Sequence, residues 1–374
     1  MRVNYYNIGK DFLSVKKNLF KNVNNIGKNG NFIGGSYLKK FEKKIKNLLN
    51  PKFIVGVANG SDALELALRY YNFKPNSEVI TVSNTFASTV NAIVNSNLKP
   101  VFADIDSTLN IDPESIQKLI NKNTVAIIPV HLNGMPCCMK KINKISKKNN
   151  LVVIEDCAQS ILTKYNNNYI GNSNNISCFS MHPTKNLGAM GDAGFITTNS
   201  KKIYEYLKIV QNHGIKHRGE SIIVGRNSRL DEIQASYILE RLKSLRLETK
   251  KKQKIAKIYD RFLVNNKFVK TPDYGCCLSL KHTYHRYVIR CKNRNKLIKF
   301  LNKRKIETKV HYLKLLHQQL PYKKYLKKNQ NLHNSIKFNK EILSLPCTPH
   351  MTERQTLYII NLINFFYKST SKKN

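Results

Sequence analysis

The feature that most constrains this chain is a repeated change of hydrophobic period. Between Phe53 and Asn199, short apolar runs alternate with stretches whose apolar residues recur at helical spacing. Phe53–Ala58 is an apolar run, and Asp62–Tyr71 follows with helical spacing. Glu78–Val82, Ser88–Val94, Lys99–Ala103, Pro113–Ile120 and Val125–Val130 continue the alternation. A further helix, Met139–Lys148, leads into the apolar run Leu151–Glu155, and Cys178–Met181 and Ala193–Thr197 complete the set. Alternation of this kind predicts an α/β fold with a mostly parallel sheet and helices on both faces. In such folds ligands sit beyond the C-terminal ends of the strands.

From about Gln234 the pattern changes to a long charged helix reaching Ile258. Tyr284–Cys291 reads as a strand, Asn295–Arg304 as a helix, Thr308–Tyr312 as a strand, and Thr352–Tyr367 as a last helix with Thr352 as N-cap. The expected organisation is a large α/β domain over residues 1–250 and a smaller α+β domain over 251–374.

Charge is the one unusual number, a formal +41. A basic balance of that size invites a nucleic-acid or membrane reading. The lysines, however, are scattered along the whole chain, among abundant Asn, Ile and Tyr and with no Trp. That mixture fits a compositional bias at solvated positions, so neither a nucleic-acid nor a membrane partner is expected. A positive field would still attract an anionic substrate. No apolar run reaches the roughly 18 residues of a membrane span, and Met1–Lys10 lacks an apolar signal core, so a cytoplasmic location is expected. The eight cysteines include the adjacent pairs Cys137–Cys138 and Cys276–Cys277 and no C-x-x-C spacing, so free thiols and no metal site are expected.

Three segments carry chemistry. Asn59-Gly60-Ser61-Asp62 lies between a strand and a helix, where backbone N–H groups form an anion site or the Asp simply caps the helix. Ile154-Glu155-Asp156-Cys157-Ala158-Gln159 puts a carboxylate at the end of an apolar strand, where it needs a cationic or proton-donating partner or serves as a cap. Phe179 to Gly194 sets Lys185 between a strand end and Gly188, Gly191 and Gly194, with the hydroxyl of Ser180 five residues upstream. Schiff-base chemistry needs an amine whose pKa is lowered by burial or by neighbouring cations.

With these pieces in this order, the chain resembles the DegT/DnrJ family of fold-type-I sugar-nucleotide aminotransferases. The match runs from Phe32-Ile33-Gly34-Gly35 through Asn84-Thr85-Phe86, Ser180–Gly194, Asn212-His213-Gly214 and Gly225–Ala235 to Ser344-Leu345-Pro346. The resemblance implies a seven-stranded sheet and pyridoxal 5'-phosphate as cofactor. Lys185 would be the Schiff-base lysine and proton carrier, and Asp156 the partner of the pyridine nitrogen. Phe86 would stack on the ring, and Gln159 would lie near its hydroxyl. The phosphate would rest on Gly60, the backbone of Ser61 and Asp62, and the hydroxyl of Ser180. Asn227 of a neighbouring copy would complete it, which implies a homodimer with shared active sites. Phe32, Asn133, His182, Arg229, His311, Tyr312 and His317 match positions near the substrate. Asn133 stands where a tyrosine is common, and Arg226 replaces a more usual aromatic; both departures are expected near the substrate mouth.

The reaction implied is amino transfer from L-glutamate to a keto sugar on a nucleotide, dTDP- or UDP-linked and at C3. Amination at C4 is the alternative. A dehydratase of the same fold would carry histidine in place of Lys185, and a non-catalytic regulatory or nucleic-acid-binding protein would have no use for a Schiff-base lysine.

Overall fold

The computed structural model describes residues 1–217, 219–275, 280–327 and 330–371. Cys276 and Cys277 lie outside the described residues. The large sheet is built from β1 (Phe53–Val57), β2 (Glu78–Val82), β3 (Lys99–Ala103), β4 (Thr124–Ile127), β5 (Val152–Asp156), β6 (Ile176–Ser180) and β7 (Gly194–Thr198), in the spatial order β1-β7-β6-β5-β4-β2-β3. β3, β2, β4, β5 and β6 pair in parallel, whereas β7 runs antiparallel to both β6 and β1. Seven strands in a mostly parallel array match the expectation. Ser88–Val94 and Pro113–Ile120 belong to the helical half of the alternation, as α4 (Ala87–Asn95) and α5 (Pro113–Leu119).

Period-two alternation sends neighbouring residues of each strand to opposite faces. Ile80, Val101, Ile127, Val153 and Phe195 pack on the face covered by α2 (Ser36–Leu49), α5, α6 (Met139–Lys148) and the first half of α8 (Glu232–Leu263). Val55, Val79, Ala126, Ile154 and Ile196 pack on the other face, against α3 (Gly60–Tyr71), α4 and α7 (Lys201–Val210). Each such fully buried aliphatic side chain stabilises the fold by roughly 1.5–3 kcal/mol.

Local chemistry sets the helix ends. Asn59 caps α3 by accepting from the Asp62 N–H at 2.8 Å, and α3 ends on Asn72 in the left-handed region. Asn50 ends α2 in the same way. Asparagine tolerates that conformation better than other side chains. Some of the asparagine that composition assigned to solvated bias therefore has a backbone use, since Asn76, Asn97, Asn150, Asn166, Asn167 and Asn293 also take positive φ. Thr352 caps α11 (Glu353–Ser371) as expected, in a reciprocal pair with Gln355: its hydroxyl accepts the Gln355 N–H, and its own N–H donates to Gln355 Oε1.

A second core forms around β8 (Val269–Lys270), β9 (Tyr287–Cys291) and β10 (Ile342–Leu345), which pair antiparallel. α9 (Arg294–Lys303) and α11 cover it, with the C-terminal half of α8 and with Val3. α8 passes unbroken through residue 250, so one helix serves both cores. The strand expected at Thr308–Tyr312 does not form. Lys309 makes a single bridge to Ser344, and the chain then leaves the sheet to carry His311 and Tyr312 into the cleft described below. Among the described residues Cys137, Cys157, Cys178, Cys291 and Cys347 are free thiols, and no helix is long and apolar enough to cross a membrane.

Candidate active site

The C-terminal edge of the sheet opens into a cleft of about 290 Å3, where ligands of open α/β folds are expected. Asp156 is the last residue of β5 and Ser180 the last of β6. The turn from β1 into α3 lies against Ser180 and Gly194. A Cβ at Gly60 would lie 2.6 Å from the Ser180 Cβ, and one at Gly194 would lie 2.5 Å from the Asn59 carbonyl carbon. Only glycines allow this approach, which brings the start of α3 against Ser180. The first N–H groups of a helix have no intrahelical acceptor, so an anion can settle there. The Asp62 N–H is already given to Asn59, which leaves the Gly60 and Ser61 backbones and the Ser180 hydroxyl. The Ser61 side chain donates to Ser88 Oγ at 2.8 Å.

Lys185 stands on a loop closed at its base by Met181 and Ala189, whose N–H groups donate to Ala193 and Met181 at 2.7 Å. Gly188 lies against the Pro183 carbonyl with no room for a Cβ. The Lys185 amine is pushed down to about 7, by burial first and by the Arg286 charge second, with Asp156 pulling the other way. Asp156 is 5% exposed. It accepts the Thr89 hydroxyl at 2.8 Å and the Ala158 N–H at 3.1 Å, and burial pushes its carboxyl up despite those bonds. A lysine held near neutrality and a buried carboxylate able to hold a proton on a partner thus share one cleft with an anion seat.

The 374-residue chain matches the model of the DegT/DnrJ/EryC1/StrS aminotransferase family over residues 14–364. The chain belongs to that family. It is 37% identical to a pleiotropic regulatory protein of Geobacillus stearothermophilus, over 98% of this chain and 99% of the relative. It is 35% identical to the dTDP-3-amino-3,6-dideoxy-alpha-D-galactopyranose transaminase of Aneurinibacillus thermoaerophilus, over 93% and 95%. Its fold superposes on the crystal structure of S. venezuelae DesV in complex with a ketimine intermediate with a TM-score of 0.94, at 28% identity and 98% coverage of each chain.

The family is one of sugar aminotransferases dependent on pyridoxal phosphate, and this chain is such an enzyme. Its residues fit that cofactor: the glycine-lined approach of α3 to Ser180 suits a phosphate, buried Asp156 suits a pyridinium, and the amine of Lys185 suits an imine bond. Phe86, 58% exposed, lies at the cleft with its ring 6.1 Å from that of Tyr312. Gln159 accepts the Asn133 N–H at 2.8 Å, which turns its amide nitrogen toward the Tyr312 hydroxyl, 3.4 Å away.

Of the residues singled out in the sequence, Gly60, Ser61, Phe86, Asp156, Gln159, Ser180, His182, Lys185, His311 and Tyr312 meet in this cleft. The others do not. Asp62 pairs with Arg226 at 2.9 Å, Asn133 is buried behind Gln159, and Arg229 donates to Asn212. His317 is fixed to the Ser83 hydroxyl at 2.7 Å, and Phe32 and Asn227 are exposed away from the cleft. Asn133 and Arg226, expected near the substrate mouth, lie outside the cleft of this chain. His311 gives its Nδ1 to Ser344 Oγ, and burial and the Arg286 charge push its imidazole down to about 2.

The sequence reading missed Thr89 and Arg286. Thr89 lies three residues after Phe86, on the first turn of α4, and a hydroxyl there was an available clue. Arg286 precedes β9 in a chain where basic residues are everywhere, and nothing local distinguishes it.

Proposed function

We propose that the enzyme transfers the amino group of L-glutamate to C3 of a keto sugar carried on dTDP or UDP, giving an amino sugar for surface polysaccharide or another glycoconjugate. One observation carries the reading: the lowered amine of Lys185 shares a single cleft with buried Asp156 and the helix-start anion seat. The 3-amino product in the name of the Aneurinibacillus relative supports C3.

Bound pyridoxal phosphate supplies an electron sink for the α-carbon of whichever amine it carries. Asp156 would hold the proton on the ring nitrogen, and Thr89 and Ala158 hold Asp156 in line. Gly60, Ser61 and Ser180 would hold the phosphate, and Phe86 would lie against the ring. Lys185 Nζ would bind the cofactor and, once displaced by the donor amine, would take up the proton at the donor's α-carbon and return one at C3 of the sugar. Gln159 would stand near the ring hydroxyl. Exposed Asn227 of a second copy would reach the phosphate, which makes the working form a homodimer with shared sites.

Absorbance tests this reading. Protein loaded with pyridoxal phosphate should lose its visible cofactor band on titration with L-glutamate and regain it with a 3-keto dTDP- or UDP-sugar. An unchanged band with glutamate removes the donor assignment, and faster recovery with 4-keto sugars moves the reaction to C4.

A further inference from the structure

Two arginines are well buried among the described residues, and they are treated differently. Arg241, 4% exposed, makes a bidentate pair with Glu248 at 2.9 and 2.8 Å and approaches Asp11 at 3.2 Å. Arg286, 7% exposed, forms no ion pair among the described residues. Its Nη1 has only neutral neighbours, Gln159 Oε1 at 3.3 Å and the Tyr312 hydroxyl at 3.5 Å, and its Nε has no partner at all. The guanidinium lies over the Tyr312 ring, 5.4 Å from its centre, on the wall of the cleft that holds Lys185.

A buried cation without a counter-charge is costly. Here Lys185 shares the cleft as a second cation, and Asp156 acts on that amine. The arrangement is that of a site waiting for an anion. The phosphate seat is built elsewhere, at the start of α3 and Ser180, so the missing anion belongs to the reacting part of a substrate. The flat fork of a guanidinium matches a carboxylate in two parallel hydrogen bonds.

We infer that Arg286 is the receptor for a substrate carboxylate. This rests on the cleft being the transaminase site. Two substrates can carry the group: the amino-acid donor, or a keto sugar oxidised to a uronate. Tyr312 and Gln159 flank the receptor, and the Arg286 charge adds to burial in lowering the Lys185 amine.

The test uses the cofactor-loaded enzyme and non-reacting probes: glutarate for the donor, and UDP-glucuronate against UDP-N-acetylglucosamine for the sugar. Calorimetry should show Arg286→Gln binding glutarate, or UDP-glucuronate, roughly ten- to a hundredfold more weakly than the unaltered enzyme. UDP-N-acetylglucosamine should bind both equally. Loss confined to glutarate assigns the receptor to the donor, and loss confined to UDP-glucuronate assigns it to the sugar. Equal binding of both carboxylates by the two proteins overturns the inference, as does failure of the unaltered enzyme to bind either. If Arg286→Gln does not fold, Arg286→Lys keeps the charge but loses the fork, and the same probe should weaken by about tenfold. Cofactor uptake, read by the visible band, separates the two failures. Where uptake is intact and the carboxylates bind equally, Arg286 alone is misassigned. Where no protein takes up cofactor, the transaminase reading itself falls.

Discussion

The two walls of the cleft are made in different ways. The cofactor wall comes from short contiguous segments at the ends of β1, β5 and β6, each held by a backbone-level constraint: the turn at Gly60, the strand end at Asp156, the closed loop at Lys185. The opposite wall comes from Arg286, His311 and Tyr312, which reach the cleft through tertiary packing alone. The candidate cofactor contacts thus stand at the sheet edge, and Arg286 stands beside β9 of the second core.

This contrast can be broken by substitution. Lys185→Ala should have the largest effect, removing turnover by many orders of magnitude while the protein still folds, because one amine both binds the cofactor and moves the proton. Near-normal turnover would place the chemistry elsewhere. In the unaltered protein, the rate of cofactor capture should rise with pH through about 7. The amine's lowered pKa makes its neutral, nucleophilic form dominant above that point. An inflection only near the ordinary lysine value of about 10.4 would show that the amine is not enclosed as described.

Asp156→Asn comes next. It should leave cofactor bound but slow turnover by roughly three to four powers of ten, because an amide cannot hold the ring proton. A loss below about tenfold in steady-state rate would mean that another group does so. Gly60→Ala should have the smallest effect and the most local one. Its methyl group meets Ser180, and titration should show cofactor affinity down roughly ten- to a hundredfold, as for a lost charge-assisted hydrogen bond. Unchanged affinity would move the phosphate away from this turn.

The same contrast explains what the sequence disclosed. Gly60, Asp156 and Lys185 were legible because their neighbours along the chain report their surroundings: glycines permit close approach, and acids at the end of the apolar run Leu151–Ile154 have to be accounted for. The parallel sheet was legible for the same reason, since period is local. His311 and Tyr312 came only through resemblance, and their own segment misled. Thr308–Tyr312 has a strand's alternation, yet Lys309 alone finds a partner before the chain turns into the cleft. Arg286 was invisible because its distinction is a missing counter-ion, a property of the space around it. The burial of Asn133 behind Gln159 leaves no trace in the residues beside it.

α8 carries a consequence for how the molecule comes apart. Its N-terminal half closes one face of the large sheet, and its C-terminal half contributes Ile255, Tyr259 and Leu263 to the second core. A helix of 32 residues cannot lose its middle without exposing apolar surface at both ends. Neither core therefore has a private melting event, and local opening is confined to segments that α8 does not touch. The segment that carries Arg286 is tied to this rod, because Lys252 Nζ on α8 donates to the His285 carbonyl.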